Sequence, residues 1–581
     1  MVDAAPDTKQ DVLDMLRELA ELTLLEDGDP QSFRVRAYEN AIQAIAAQAT
    51  DLGRLTDKEL QRIQGIGKST AAKIQELVRT GKVEKLEALR QKYPRSLVEL
   101  LRIQGLGPKA VLKLRTELGV ESLADLERAL AEKRIRGLKG FGSKSEEKLA
   151  QSLARLAEQG ALGRTPISVA LPHAERIVTR LRAVPGVTYA AHAGSLRRFS
   201  ETVGDIDIVV TADAPEPVME AVVALAERVL SRGDTKTSIV TQRGIQVDVR
   251  VVPREALGAA LLYFTGSKTH NIKLRQRALA RGYSLNEYAL TTVETGKVFA
   301  SRTETEIYEA LGLPFIPPHL REDIGEIEAA EAGVLPRSLP PPSGDFHLHT
   351  NVSGDGRSSL EEMVETAKAR GYSVLALTEH AEGTLTGVGR DALLDQRGRI
   401  RALRNQLGNS LYLLHGIELN IGPEGELDYD AEFRASFDWC VASVHSHFEL
   451  DRAAQTRRVL RAIRDPSVRL IGHPTARMIG GRPPIQLDLQ QIFAAAAETG
   501  TALEVNGALP RLDLPVDALR QASSHAVTFV LTSDAHHTRE LALIEYAVLN
   551  AERAWLDGER VANTWPAARL RSWLSAGKRA A

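Results

Sequence analysis

The sequence predicts a multidomain chain of mixed class, α+β in front and α/β behind, and three observations carry that prediction. Residues 1–160 show helical periodicity broken by glycine pairs. Carboxylates at 205, 207 and 248 sit on alternating apolar runs. After a proline cluster, strand-like runs alternate with helices and end repeatedly in His, Asp or Glu. A chain of 581 residues has room for several domains. Its hydrophobic fraction of 43% and charged fraction of 26% are ordinary for globular protein. No apolar run approaches a membrane span. The first thirty residues are acidic and lack the basic and apolar regions of a secretion signal. The single cysteine, Cys440, excludes an internal disulfide. These features predict a cytoplasmic protein.

The net charge of −2 hides a division along the chain. Residues 51–320 carry 42 Lys and Arg against 31 Asp and Glu, whereas residues 321–581 carry 28 against 35. A basic front half is the footprint of a phosphate-backbone binder. Ten of the fourteen histidines lie in the acidic rear half, which points to metal chemistry there.

The front of the chain reads as short helices, with Val12, Met15, Leu16, Leu19 and Leu22 on one face. Three Gly-apolar-Gly turns precede basic helices: Gly65-Ile66-Gly67-Lys68, Gly105-Leu106-Gly107-Pro108-Lys109 and Gly140-Phe141-Gly142-Ser143-Lys144. Glycine lets a turn approach a phosphate closely, and the following helix start offers free N–H groups to an anion. These turns resemble helix-hairpin-helix motifs, which grip DNA backbone without reading sequence.

From about residue 166 the pattern becomes α/β. Strand-like runs at 206–211, 239–241 and 246–252 alternate with helical stretches at 173–183 and 217–231. In Gly204-Asp205-Ile206-Asp207 the two carboxylates share one strand face, because side chains alternate with period two. Asp248 on a neighbouring strand completes a site for two Mg²⁺ ions, which clamp attacking and leaving oxygens at phosphorus from about 3.5–4 Å apart. Gly194-Ser195-Leu196-Arg197-Arg198 supplies a turn and two always-charged forks for a triphosphate. A helical, turn-rich segment follows over 257–320. Pro336, Pro340, Pro341 and Pro342 mark a semi-rigid, extended linker.

Beyond the linker, strand-like runs at 374–378, 411–418, 439–444, 503–506 and 529–533 alternate with helices, the pattern of a (β/α) barrel with chemistry at its strand ends. His347, His349, Asp355, His380, Glu418, His445, His473, Asp534 and His536 mostly close or follow such runs. Six histidines, two aspartates and a glutamate provide nine ligands, enough for three ions. Mixed N/O ligation suits Mn²⁺, Zn²⁺ or Fe²⁺ better than Mg²⁺. Glu418 could bridge two ions and activate a water between them. His415, His447, His525 and His537 have no assigned role and read as surface or core.

Residues 1–320 resemble the family X DNA polymerases, the group containing DNA polymerase beta. The resemblance rests on Gly194–Arg198, Asp205-x-Asp207, Asp248 and Tyr263-Phe264-Thr265-Gly266-Ser267, in order. It implies a nucleotidyltransferase palm with a thumb. Asp205, Asp207 and Asp248 would bind Mg²⁺ or Mn²⁺, with Asp248 helping to deprotonate the primer 3′-OH. Gly194, Ser195, Arg198, Gly204 and Gly266 would hold the nucleotide. Tyr263 and Phe264 would lie against its sugar, Asn271 would touch the base edge and Arg275 the template. Lys73 matches the family's Schiff-base lysine for a 5′-deoxyribose phosphate, and reads equally well as a phosphate-facing lysine. Tyr38 matches a tyrosine near that pocket and could equally be core.

Residues 345–575 resemble the PHP (polymerase and histidinol phosphatase) domain, with all nine ligand positions assignable. One departure is Thr378-Glu379-His380, where the family often has Asp at the central position. The combination implies Mn²⁺-dependent 3′→5′ exonuclease and abasic-site cleavage beside gap-filling synthesis. The ligand set alone leaves exonuclease and phosphatase both open. Expected domains are 1–88 (lyase-like), 89–165 (fingers), 166–256 (palm), 257–320 (thumb), 321–344 (linker) and 345–575 (PHP). Expected partners are dNTPs and gapped or primed DNA, with no membrane and a monomeric chain. Two other readings stand: a DNA clamp in front of a lone nuclease, and a non-catalytic scaffold for broken ends.

Overall fold

The computed structural model describes residues 8–29, 32–46, 55–63, 65–103, 106–138, 140–142, 145–150, 153, 164–384 and 386–576. Gly105 and Lys144, both expected DNA contacts, lie outside the described residues. The chain divides into two units, residues 1–163 and 164–581.

The first unit is helical. Its main helices are Thr8–Asp27, Phe33–Ala46, Lys68–Thr80, Glu84–Lys92, Pro108–Leu118 and Leu123–Ala131. The stripe at 12, 15, 16, 19 and 22 is buried, and it joins Ile74, Leu97, Val111 and Leu126 in one core. Gly67 caps the 68–80 helix and Gly107 the 108–118 helix. Gly65 adopts φ +101°, and a Cβ there would stand 3.1 Å from the Asn40 carbonyl oxygen, so this turn admits little but glycine.

In the second unit the palm sheet has five strands in the order Val187–His192, Ile206–Ala212, Gln246–Val251, Lys236–Thr241, Ala226–Arg232. The 206–212 and 246–251 strands run parallel and the other pairings are antiparallel. The helix expected over 217–231 is the one misread palm element. Glu216–Val223 is helical, but Ala226–Arg232 is an edge strand. Its side chains are mostly exposed, so pairing with 236–241 decides its conformation and apolar periodicity does not.

The thumb carries helices Leu257–Thr265, Lys268–Ala280 and Glu304–Ala310. It also holds a three-stranded antiparallel sheet, Tyr283–Leu285, Leu290–Thr292 and Val298–Ala300, which the helical, turn-rich reading omitted. Strands of three residues are too short for periodicity to mark.

The segment 321–344 differs from an extended linker. Helix Glu326–Glu331 packs its Ile327 and Ala330 into the thumb core. Arg321 and Glu326 are fully buried, and Leu339 joins the core of the following domain. The prolines are confined to 336–342, so their stiffness governs only the last third of the segment.

The rear domain has seven parallel strands in chain order: Gly344–Asp345, Val374–His380, Tyr412–Asn420, Trp439–Ser443, Val468–Ile471, Ala502–Asn506 and Phe529–Thr532. Leu348 bridges Ala535, which brings the first segment against the last and nearly closes the sheet into a barrel. The 468–471 strand was not anticipated. Palm and barrel share a core: Leu509 and Leu512 of a barrel loop sit in the palm cluster, with Ile479, Tyr546 and Leu549 packed against it.

Candidate functional site

The parallel ladder of the palm places Asp207 directly opposite Asp248. Asp205 precedes the same strand by one residue, so all three carboxylates gather at one edge, each half-buried. Burial and the neighbouring carboxylates both act on the acidity of Asp205 and Asp207. Burial, then Asp205 and Asp248, pushes Asp207 up to about 7. Burial and Asp248 raise Asp205. Cations held there would favour the ionised forms of Asp205 and Asp207. Lys236 Nζ lies 3.8 Å from Asp248, and Gln246 donates to the other Asp248 oxygen at 3.2 Å.

Gly194 closes this site from the other side. Its φ is +61°, and a Cβ there would lie 2.3 Å from Asp207 Oδ2. Only glycine allows the turn to seat against the carboxylate. Arg198 is engaged inward: Nε meets Glu322 at 3.0 Å and Nη1 donates to the Thr265 carbonyl at 2.6 Å. That differs from an arginine lying open to a triphosphate, because Glu322 was hidden in the supposed linker. Gly266 adjoins the same guanidinium, and a Cβ there would meet Arg198 Nη1 at 3.3 Å. Gly204 is exposed and Ser195 half-buried. Tyr263 and Phe264 meet edge to face at 5.1 Å, with the Arg250 guanidinium 4.4 Å from the Phe264 ring centre. Asn271 donates to the Tyr263 carbonyl at 2.8 Å, and both line one small cleft with Arg275.

In the helical unit, Lys73 Nζ sits 5.8 Å from the centre of the buried Tyr38 ring and bonds Ser69 Oγ at 2.7 Å. Burial lowers its pKa below the ordinary lysine value.

At the barrel's C-terminal rim, Glu418 is the hub, fully buried. His445 and His473 Nε2 each lie 3.1 Å from its Oε1, His347 Nε2 lies 3.3 Å from the same oxygen, and His349 Nε2 lies 3.6 Å from Oε2. His380 Nδ1 and Glu418 Oε2 are 2.7 Å apart, yet neither has a hydrogen-bond partner. His347 Nε2, both nitrogens of His349 and Nδ1 of His473 are also buried and unpartnered. Asp355 reaches His380 at 3.2 Å and His536 at 3.5 Å, and Asp534 reaches His349 at 3.5 Å. Three groups bring one ligand atom per residue within 4.8 Å of each other: His349, His380 and His536; His347, His349 and Asp534; His380, Glu418 and His445. Nitrogen lone pairs left orphaned in a buried pit fit divalent cations. Burial beside His380 and His536 holds His349 down to about 3, the neutral form a ligand requires.

All nine expected rear residues therefore meet in one pit of about 670 Å³ or its floor. Three supporting residues were missed. Glu504 takes His347 Nδ1 at 2.7 Å, fixing that ring. Its acidic side chain within the apolar 502–506 run was the available signal. Asn420 takes His445 Nδ1 at 2.6 Å. Arg511 lines the pit, 3.5 Å from Asp534, and nothing in its local sequence marks it. Glu379 points away from the pit. It accepts from Thr350 N and Oγ, from Ser353 N and Oγ, and from Gln396, so it braces the loop that carries Asp355. Of the unassigned histidines, His415 is buried against Phe437 and His447 is exposed.

Known protein families match along the chain: a helix-hairpin-helix domain at residues 7–83, a SAM-like helix-hairpin-helix tandem at 97–155, the DNA polymerase beta thumb at 260–322 and the PHP domain at 345–508. The chain is 36% identical over 561 residues to the DNA polymerase/3′-5′ exonuclease PolX of Bacillus subtilis, covering 96% of this chain and 97% of that one. The chain is a family X DNA polymerase with a PHP domain. Each half of this family X polymerase also has separate relatives. DNA polymerase lambda of Rattus norvegicus is 26% identical over 322 residues, 50% of this chain and 52% of that one. A probable phosphatase of Aliivibrio fischeri is 26% identical over 247 residues, 40% of this chain and 94% of that one. Membership in the family implies DNA binding and divalent metal ions. Among the described residues, no helix is long and apolar enough to cross a membrane.

Proposed function

We propose that the protein is a DNA repair polymerase that adds dNTPs to a primer end in short gaps and trims 3′ ends with its PHP barrel. The observation that carries the reading is the seating of Asp207 between Asp248, its ladder partner, and the Cα of Gly194. That arrangement gathers three carboxylates beside a glycine turn, in a chain related over 96% of its length to a polymerase/exonuclease.

In the palm, Asp205, Asp207 and Asp248 would hold Mg²⁺ or Mn²⁺. When bound, such ions neutralise the triphosphate and the developing charge at phosphorus. The chain's own residues do the rest. Asp248 accepts the proton from the primer hydroxyl, Ser195 and the Gly194 and Gly204 backbones take phosphate oxygens, and Tyr263, Phe264 and Asn271 position the nucleotide. Arg198 acts through Glu322 and the Thr265 carbonyl to hold the Gly266 turn in place. The backbone N–H groups at Gly67 and Gly107, with Lys68 and Lys109, grip DNA phosphates, as does the Gly140–Gly142 turn. Arg275 faces the template.

In the barrel, the nine residues would hold Mn²⁺, Zn²⁺ or Fe²⁺, a choice their mixed nitrogen and oxygen donors favour. Glu504 and Asn420 keep His347 and His445 in the donor tautomer. Incision at abasic sites belongs to the same pit. Lys73, with its amine made more available by burial above Tyr38, supplies 5′-deoxyribose phosphate lyase activity. The protein works as a monomer in the cytoplasm.

Paired assays on gapped DNA test the reading. Asp205→Asn with Asp207→Asn abolishes extension and spares digestion, and His347→Ala with His349→Ala does the reverse. Extension surviving the first pair sinks the palm assignment.

A further inference from the structure

Four acidic residues line the barrel pit: Asp355, Glu426, Asp428 and Asp534. A phosphodiester carries negative charge, so the pit repels its own substrate wherever cations do not intervene. Among the described lining residues Arg511 alone is a lysine or arginine. Its Nε stands 3.5 Å from Asp534 Oδ2, too far for a good hydrogen bond, and its Nη1 is buried without any partner. An unpaired guanidinium nitrogen in a buried position is costly unless a ligand completes it.

The loop that presents this side chain is built rigidly. Arg511 N donates to the Ala508 carbonyl at 2.8 Å, and Ile479 N donates to the Pro510 carbonyl at 2.7 Å. Arg477 Nε donates to the Arg511 carbonyl at 2.8 Å. On either side of it, Leu509 and Leu512 are buried in the palm core. Three hydrogen bonds and two buried leucines therefore hold the backbone beneath the side chain, whose Nη1 is left without a partner.

We infer that Arg511 grips the phosphate of the terminal nucleotide that the barrel removes, as a forked cationic clamp beside the metal cluster. A guanidinium offers two parallel N–H donors to two phosphate oxygens, which lysine cannot reproduce. The inference rests on the exonuclease reading of the pit. It adds a substrate-contacting group that is not a metal ligand.

The experiment compares full-length, Mn²⁺-loaded wild type with Arg511→Ala and Arg511→Lys. Elemental analysis measures metal content, calorimetry measures binding of inorganic phosphate without DNA, and digestion of single-stranded DNA gives kcat and KM. Arg511→Ala is expected to keep its metal, to bind phosphate about 10- to 100-fold more weakly and to digest DNA about 100-fold more slowly. Arg511→Lys is expected to fall between. Loss of metal in Arg511→Ala would reassign the residue as a brace for Asp534 and overturn the clamp. Unchanged phosphate binding would overturn it equally. A wild type that binds phosphate through Arg511 but leaves DNA intact would sink the exonuclease reading and keep the clamp.

Discussion

Glu201 and Arg477 form a two-pronged ion pair between palm and barrel, with Nη1 and Nη2 reaching the two carboxylate oxygens at 3.0 and 2.8 Å. Glu201 lies three residues after the nucleotide turn, and Arg477 four residues after the ligand candidate His473. Arg477 also donates to the carbonyls of Arg511 and Leu512, so one buried side chain holds three backbone or carboxylate acceptors.

Removing that guanidinium leaves those acceptors without a donor. Arg477→Ala is expected to lower the free energy of unfolding by about 2–4 kcal/mol. Denaturant melts of the full chain measure this. A variant within about 0.5 kcal/mol of wild type would show the junction to be incidental.

Gly194→Ala tests the palm by crowding. The added methyl would occupy the space of the Asp207 carboxylate, and the φ of +61° strains any L-residue. Extension is expected to fall at least about 100-fold, equivalent to roughly 2.7 kcal/mol, while digestion by the barrel persists. Extension near the wild-type rate would mean that the turn does not sit against Asp207 during synthesis.

Glu379→Ala tests the brace behind Asp355. Five donors from Thr350, Ser353 and Gln396 would lose their acceptor in a fully buried site. The expected outcome is destabilisation of about 3 kcal/mol or more together with reduced metal content by elemental analysis. Glu379→Asp, the residue the family often carries, is expected to recover part of both.

His415 gives stability a defined pH dependence. Burial, then Arg397, pulls it from the ordinary 6.5 down to about 4. The folded state therefore binds fewer protons than the unfolded state between those values. Its contribution is complete above about pH 6.5 and is lost as pH falls toward 4, amounting to roughly 3 kcal/mol. His415→Leu is expected to flatten this part of the stability profile. An unaltered acid slope would assign it to other groups.

Lys68 and Lys109 follow the capping glycines of two hairpins. If each neutralises a phosphate, Lys68→Ala should weaken DNA binding uniformly across sequences and reduce the salt slope of log K by about one. Fluorescence anisotropy at several salt concentrations reads this directly.

The fold was legible where spacing is strict. The buried stripe from Val12 to Leu22, the Asp205/Asp207/Asp248 strands and most barrel strands all carry periodic apolar residues that tertiary contacts reinforce. Reading failed where tertiary contacts decide alone. The 226–232 edge strand is exposed and is held by its partner, and the three-residue thumb strands offer no period. Glu326 looked like a charged linker residue, but its carboxylate meets His270 Nδ1 at 2.6 Å in the thumb core. The rear cluster of candidate ligands was legible as a group, because histidines at strand ends stand out from an apolar background. Arg511 and the Arg198–Glu322 pair were not, since each depends on a partner far away in sequence.

The shared core between palm and barrel has a practical result for anyone wishing to dissect the chain. A gene cut at codon 344 would yield a barrel with Leu509, Leu512, Ile479 and Tyr546 bared to water, a sticky patch that invites precipitation. It would also strand Glu552, which takes His319 of the thumb at 2.8 Å and the Leu339 amide at 2.8 Å. Palm, thumb and barrel thus travel as one block. With palm and barrel packed through one core, a mispaired primer end that passes from one to the other is expected to do so by its own fraying.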